Sequence, residues 1–277
     1  MPMIHKIPLT HPILNSPLFK KDEIAFNIIP FLIQNQERYP DIRLFSDERD
    51  IILLNTDSNH PVIVWTSEQF DNFKMLYDFL IQTFKDNTPL QLMTKKEVYD
   101  FFNTQNLILN KNKTDILGAY HCTKVNPIPQ IGTLDTAKSE ELDIIKNLLL
   151  AFDKEAQPNE NRPLEYYVKE AQKFIDKSDS YKVWRDETGL ITSIGRLEIV
   201  DTQARIGRIY TLPNHRGKSY AKMLVQNLTK HALQLNLLPV LYTNFQYEPS
   251  NKCYQAIGFE LLDTIFTYHV KSKKTLI

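Results

Sequence analysis

Four consecutive residues, Arg216-Gly217-Lys218-Ser219, set two cations beside the residue type that lets backbone approach a ligand most closely. They follow a run of β-branched and aromatic residues, 206–211, that ends in Ile209, Tyr210 and Thr211 and is stopped by Pro213. After them, Ala221, Leu224, Val225, Leu228, Ala232 and Leu235 recur at intervals of three and four. That spacing makes one face of a helix apolar and sends Lys222, Gln226, Lys230 and Gln234 elsewhere. A strand, a basic turn and a helix N-terminus place unpaired N–H groups and a partial positive charge next to fixed cations, the chemistry that holds a pyrophosphate. Read alone, the turn is more simply a surface turn with solvated basic residues.

The chain has 277 residues, comfortable for two domains of ordinary size. Its 33 basic and 33 acidic side chains cancel, so no global field recruits nucleic acid or an anionic membrane, and any anion site is local. No apolar run is long enough to span a bilayer, and the N-terminal segment lacks the apolar core of a signal peptide. The expectation is a cytoplasmic protein with no membrane and no nucleic-acid partner. Cys122 and Cys253 stand far apart without a CxxC or a His pair at metal spacing, which favours reduced thiols and no metal site. Glycine numbers only 7, against an average near 7% of a chain, so Gly217 is not background.

The elements that must position these residues follow from caps, breakers and periodicity. Ser16 and Pro17 open a helix expected to run to Gln36, and strands are expected at 42–45, 51–55 and 62–65. Ser67 is read as the cap of a helix ending near Asp86 and Asn87. A strand at 90–93 follows, then a helix to Asn103 from a capping box Thr94 to Glu97, then strands at 107–109 and 117–123. Asn126-Pro127-Ile128-Pro129 is the candidate linker. Beyond it, helices at 139–152 and 163–177 precede strands at 181–184, 190–200 and 206–211. After the central helix come a strand at 239–243, a helix at 249–256, Gly258 as its C′ residue and two last strands reaching Val270. Both halves carry the same element order, with domains expected at 1–125 and 131–277. The tail from Lys271 through Lys273 and Lys274 reads as a frayed end.

Arg216-Gly217-Lys218-Ser219-Tyr220-Ala221 resembles the Arg/Gln-x-x-Gly-x-Gly/Ala signature of the GNAT superfamily of N-acetyltransferases, with Ser219 where the signature has glycine. Asn251, Tyr254, Gly258 and Phe259 match that family's later Asn-x-x-Tyr-x-x-x-Gly-Phe segment. The resemblance covers roughly 131–270; for 1–125 it rests on element order. It implies an α/β fold of layered α+β type, with two tandem GNAT-like domains, each a mixed, mostly antiparallel sheet flanked by helices, the first degenerate. It implies acetyl-CoA as cosubstrate and a small-molecule or peptide amine as acceptor, with direct attack in a ternary complex. Residues 216–221 and Asn251 would hold the cofactor, and Ile209, Tyr210 and Thr211 would pair with its pantetheine arm. Tyr254 would protonate the departing thiolate, and Glu198 is the candidate base. A water relay or a partly neutral amine would need no base. The alternative is a non-catalytic acyl-CoA-binding or regulatory protein on the same scaffold. The duplication suits a monomer that is a pseudo-dimer, or a homodimer.

Overall fold

A computed structural model describes residues 3–85, 89–156 and 162–271. The expected helix end at Asp86 and Asn87 and the tail residues Lys273 and Lys274 lie outside the described residues. In chain order the strands and helices of the first half are β1 (His5–Ile7), α1 (Pro17–Asp22), α2 (Ile28–Gln34), β2 (Arg43–Ser46), β3 (Ile51–Asn55), β4 (Val62–Thr66), α3 (Phe73–Thr83), β5 (Leu90–Thr94), α4 (Lys96–Thr104), β6 (Ile108–Leu109) and β7 (Asp115–His121). Those of the second half are β8 (Thr133–Asp135), α5 (Leu142–Ala156), α6 (Leu164–Asp176), β9 (Tyr181–Arg185), β10 (Ile191–Val200), β11 (Gln203–Thr211), α7 (Tyr220–Gln234), β12 (Leu238–Asn244), α8 (Glu248–Ile257) and β13 (Glu260–Val270).

The fold is mixed α/β, with mostly antiparallel strands flanked by helices. Contacts divide the chain into two units that are not consecutive segments. Unit 1 comprises 1–120, 242–247 and 261–277, and unit 2 comprises 121–241 and 248–260. In unit 1 the strands run β1-β2-β3-β4-β5-β13-β7, with β6 also pairing β13. The tail of the chain thus supplies an inner strand of unit 1, with Phe266 opposite Thr94 and Tyr268 opposite Leu92. Its core gathers Ile51, Leu53, Val64, Leu76, Leu80, Phe102 and Tyr268.

Several expected boundaries shift for local reasons. The helix from Pro17 does not run to Gln36. It stops at Asp22 and restarts at Ile28, because Pro30 has no N–H to give the Phe26 carbonyl and is tolerated only in a first turn. Ser16 does cap α1, accepting from the Phe19 N–H at 3.2 Å. Ser67 does not cap α3; its hydroxyl donates to Asp50 at 2.5 Å and accepts the Gln69 N–H at 3.3 Å, and Asn72 caps α3 instead. Thr94 ends β5 with its hydroxyl donating to the Lys95 carbonyl, so no capping box opens α4. The two expected last strands are one strand of 11 residues, and β1 and β8 were not expected.

Unit 2 orders its strands β12-β11-β10-β9-β8. On one face α5 and α6 bury Ile145, Leu148, Leu149, Ala171 and Phe174 against Val183, Ile191, Ile194 and Tyr210. On the other lies α7, whose Leu224, Val225 and Leu228 are each at most 1% exposed, worth about 1.5–3 kcal/mol apiece. Gly195 makes this approach possible. A Cβ there would meet Ile209 Cδ1 at 2.8 Å and Leu224 Cδ2 at 3.0 Å.

Candidate active site

The site is built where β11 changes register. Ile194 pairs with Tyr210, but Arg196 pairs with Gly207, so Gly195 alone stands opposite Arg208 and Ile209. Two residues against one make a β-bulge, and Arg208 adopts the left-handed φ of +50° that it requires. Pairing on the other edge of β11 is short. Three parallel pairs join it to β12, from Gln203 with Leu238 to Arg205 with Val240. Beyond Arg205, residues 206–211 pair only with β10 among the described residues, leaving one edge of Ile209, Tyr210 and Thr211 without a strand partner.

That edge runs straight into the basic turn. A 3-10 turn, Pro213–His215, is followed by Arg216, by Gly217 at φ +77° and by Ser219 at φ +64°, and α7 begins at Tyr220. Nothing lies within 4 Å of where a Gly217 Cβ would stand, so this glycine is needed for its conformation rather than for space. Ser219 occupies the N-cap but in the left-handed region, and its hydroxyl caps no N–H. The first turn of α7 starts with Tyr220, buried, and Ala221, half-buried.

Arg216 is turned back over the strand end. Its Nε donates to the Thr211 carbonyl at 3.0 Å, its Nη2 donates to both Glu155 carboxylate oxygens at 2.9 and 2.8 Å, and its guanidinium lies 5.4 Å from the Tyr210 ring centre. Tyr210 donates to the same carboxylate at 2.9 Å. The hydrogen bonds from Arg216 hold the Glu155 carboxyl below its ordinary range, so it is an anion at neutral pH. Lys218 and Lys222 have no ion-pair partner among the described residues, and both line a cleft beside Ser219. The sequence motif singled out Lys218 but not Lys222, which lies in the first turn of α7 and reaches the same cleft.

Around the bulge, Arg208 donates to Glu170 at 2.7 Å. Arg162 donates to the Tyr166 hydroxyl at 2.8 Å and to the buried Asp153 at 2.9 Å. The pairing of Arg208 with Glu170 was not legible in sequence, since it spans 38 residues. Tyr254 is half-buried on α8, which packs along α7, and its ring meets Phe259 edge-on at 6.1 Å. Desolvation raises its phenol, which therefore keeps its proton at neutral pH. Its neighbour Cys253 is pushed up to about 11 by burial, so that thiol is also neutral. Asn251 is buried on the same helix.

Glu198 sits lower on β10, opposite Arg205, with its carboxylate 2.7 Å from the Arg196 guanidinium. At about 3.3 Å per residue, that register position is roughly 13 Å along β11 from Ile209. Among the described residues no group of three or more His, Cys, Asp or Glu could hold a metal ion, and no helix is long and apolar enough to cross a membrane.

A family model described as the acetyltransferase (GNAT) family matches residues 145–259. The chain is similar in structure to a GNAT-family acetyltransferase from Colwellia psychrerythraea, at 16% identity over 97% of this chain and 99% of that one, with a TM-score of 0.57. It is similar to a GCN5-related N-acetyltransferase from Sphaerobacter thermophilus, at 10% identity over 97% and 95%, TM-score 0.62. It is also similar to a tandem GNAT protein from the clavulanic acid biosynthesis pathway, at 10% identity over 98% and 99%, TM-score 0.56. At such identities the likeness concerns the fold. No curated protein sequence matches the chain.

Proposed function

We propose that the chain, whose residues 145–259 match the acetyltransferase (GNAT) family model and whose fold is like that of GNAT-family structures, is an acetyl-CoA-dependent N-acetyltransferase acting on a primary amine of a small molecule or peptide. The observation that carries this reading is the bulged β11, with one edge unpaired over residues 206–211, running directly into a positive-φ basic turn and the α7 N-terminus. The unpaired edge at Ile209, Tyr210 and Thr211 supplies N–H and C=O groups for the pantetheine amides, as an added strand would. An N–H freed by the bulge polarises the thioester carbonyl and stabilises the oxyanion. The turn 216–221 receives the pyrophosphate on backbone N–H groups, with Lys218 and Lys222 as the available cations.

In the transfer, the amine nitrogen attacks the thioester carbon, a C–N bond forms, and the C–S bond breaks as the tetrahedral intermediate collapses. Tyr254, protonated because its surroundings disfavour the phenolate, gives its proton to the departing thiolate. The raised Cys253 thiol is a poor nucleophile, which supports direct transfer over an acyl-cysteine intermediate. With Glu198 ion-paired to Arg196, the amine's proton leaves through water, or the amine arrives already neutral.

One observation favours a second reading, a non-catalytic acyl-CoA binder: Glu198, the candidate base, is ion-paired to Arg196 at a register position roughly 13 Å along β11 from Ile209. Calorimetric titration with acetyl-CoA, followed by acetyl transfer across polyamines, amino acids, aminoglycosides and peptide N-termini, separates the two. Binding with transfer to at least one amine supports the enzyme. Binding without transfer or hydrolysis supports the binder, and no binding by the folded chain removes both.

A further inference from the structure

The residue that makes the β11 bulge is an arginine, at a φ of +50° that glycine would take freely. A side chain stays in that region only where its surroundings hold it there. Here the hold comes through the side chain itself. Arg208 Nη1 donates to Glu170 Oε2 on α6 at 2.7 Å, in a pair whose side chains are only 21% and 15% exposed. The other Glu170 oxygen accepts from Lys173, on the next turn of the helix, at 3.2 Å. Burial pushes the Glu170 carboxyl up, and the Arg208 and Lys173 cations more than reverse this, so it is an anion at neutral pH. The pair has a backing. The Tyr166 hydroxyl, one turn earlier on α6, stands 3.5 Å from Arg208 Nη2 and accepts from Arg162 at 2.8 Å, and Arg162 is fixed in turn to the buried Asp153 of α5 at 2.9 Å. Side chains thus tie the bulge residue to both helices on that face of unit 2.

We propose that Glu170 is a positioning residue for acyl transfer: by holding the Arg208 guanidinium it fixes the β11 bulge, and so aims the backbone N–H groups that meet the thioester. The inference rests on the acetyltransferase reading above. Successive N–H groups along a strand point to opposite edges, and an extra residue resets that alternation. The N–H groups of 208–211 that face the edge without a strand partner are therefore selected at Arg208. Backbone pairing alone holds this segment weakly, since 206–211 pair only with β10 among the described residues. The ion pair to α6 supplies a second support at the one residue whose conformation is strained. Accuracy matters there because a donor to the oxyanion works by being placed in advance, and a misplacement of about 1 Å costs on the order of a hundred-fold in rate. Glu170 acts through the arginine and touches no reacting atom.

The test compares the full chain with Glu170→Gln, and with Lys173→Ala as the control that leaves the Glu170–Arg208 pair in place. Without ligand, amide hydrogen exchange over 206–211 should quicken by at least about ten-fold in Glu170→Gln and stay unchanged in Lys173→Ala. With ligand, kcat for acetyl transfer should fall by at least about ten-fold in Glu170→Gln, while the calorimetric affinity for acetyl-CoA stays within about three-fold; in Lys173→Ala kcat should stay within about two-fold. Arg208→Ala, which keeps a Cβ at the positive φ and removes the anchor, should repeat the loss of kcat, and Arg208→Gly, free at that φ, should recover part of it. Unchanged exchange or kcat in Glu170→Gln, an equal loss in Lys173→Ala, or Arg208→Gly no more active than Arg208→Ala overturns the assignment and leaves the acetyltransferase reading standing. A folded wild-type chain that transfers acetyl to no amine overturns that reading and this role with it.

Discussion

Ser219 carries a Cβ at a φ of +64°, where glycine is free and other residues store of order 1 kcal/mol. Its hydroxyl does not offset that cost by capping α7. Ser219→Gly should therefore stabilise the chain by about 1 kcal/mol, a rise of roughly 2–4 °C in the unfolding midpoint of a unit of this size. Calorimetric scanning checks this; an unchanged or lowered midpoint would show that Ser219 is held by something other than backbone conformation. Tyr254 is the second residue on which the chemistry turns. Tyr254→Phe should lower kcat by about 10²-fold with little change in the dissociation constant for acetyl-CoA. The phenol is the acid only while protonated, and its raised value keeps the proton on through alkaline pH. The wild-type kcat profile should then show no descending limb up to about pH 10, the ordinary tyrosine value. A limb near pH 8 or 9 that vanishes in Tyr254→Phe would contradict the desolvated phenol.

At the scale of elements, strand β8 and the turn after it are held by one side chain. Arg185 on β9 donates to Asp135 at 2.6 Å and to Glu141 at 2.7 and 2.9 Å. Hydrogen bonds from Arg185 depress both carboxyls. Groups with lowered folded values stabilise fully above their ordinary range, near pH 4, and lose that stabilisation as pH falls through the depressed values. Arg185→Gln should accordingly lower the thermal midpoint by a few degrees at pH 6, and the gap to wild type should close below about pH 3. A gap of equal size at both pH values would assign the effect to packing of the arginine stem instead. The same scale explains what was legible in sequence. The apolar face of α7 and the turn before it were readable because helical periodicity and a contiguous motif are local. The bulge at Arg208 was not, since it is a mismatch of register between β10 and β11 and leaves no mark on either strand alone. Nor was the burial of Gln226, whose partners lie about a hundred residues away. Ser67 and Thr94 looked like caps by type and spacing, but the Ser67 hydroxyl went to Asp50 across the unit and the Thr94 hydroxyl to the carbonyl of its own neighbour Lys95.

At the scale of the whole molecule, the path of the chain sets how it can be divided. Chain order suggested a cut near residue 125, whereas strand pairing returns residues 261–270 to unit 1. Alternation along β13 could not reveal this, because a strand with one buried face reads the same whichever neighbour it joins. Ile265, Phe266, Tyr268 and Val270 are all buried, and β13 pairs with both β5 and β6. At about 1.5–3 kcal/mol per buried side chain, its loss is comparable with the 5–15 kcal/mol that stabilises a whole domain. Truncation after Glu260 should thus abolish cooperative unfolding of unit 1 and expose apolar sheet edges, read as aggregation and increased binding of a hydrophobic dye. Truncation after Lys271 retains the strand and the Lys271 N–H bond to the Leu107 carbonyl at 2.8 Å, and should remain soluble with a midpoint near wild type. If both truncations unfold like the full chain, β13 is dispensable, and unit 1 draws its stability from the segments before it.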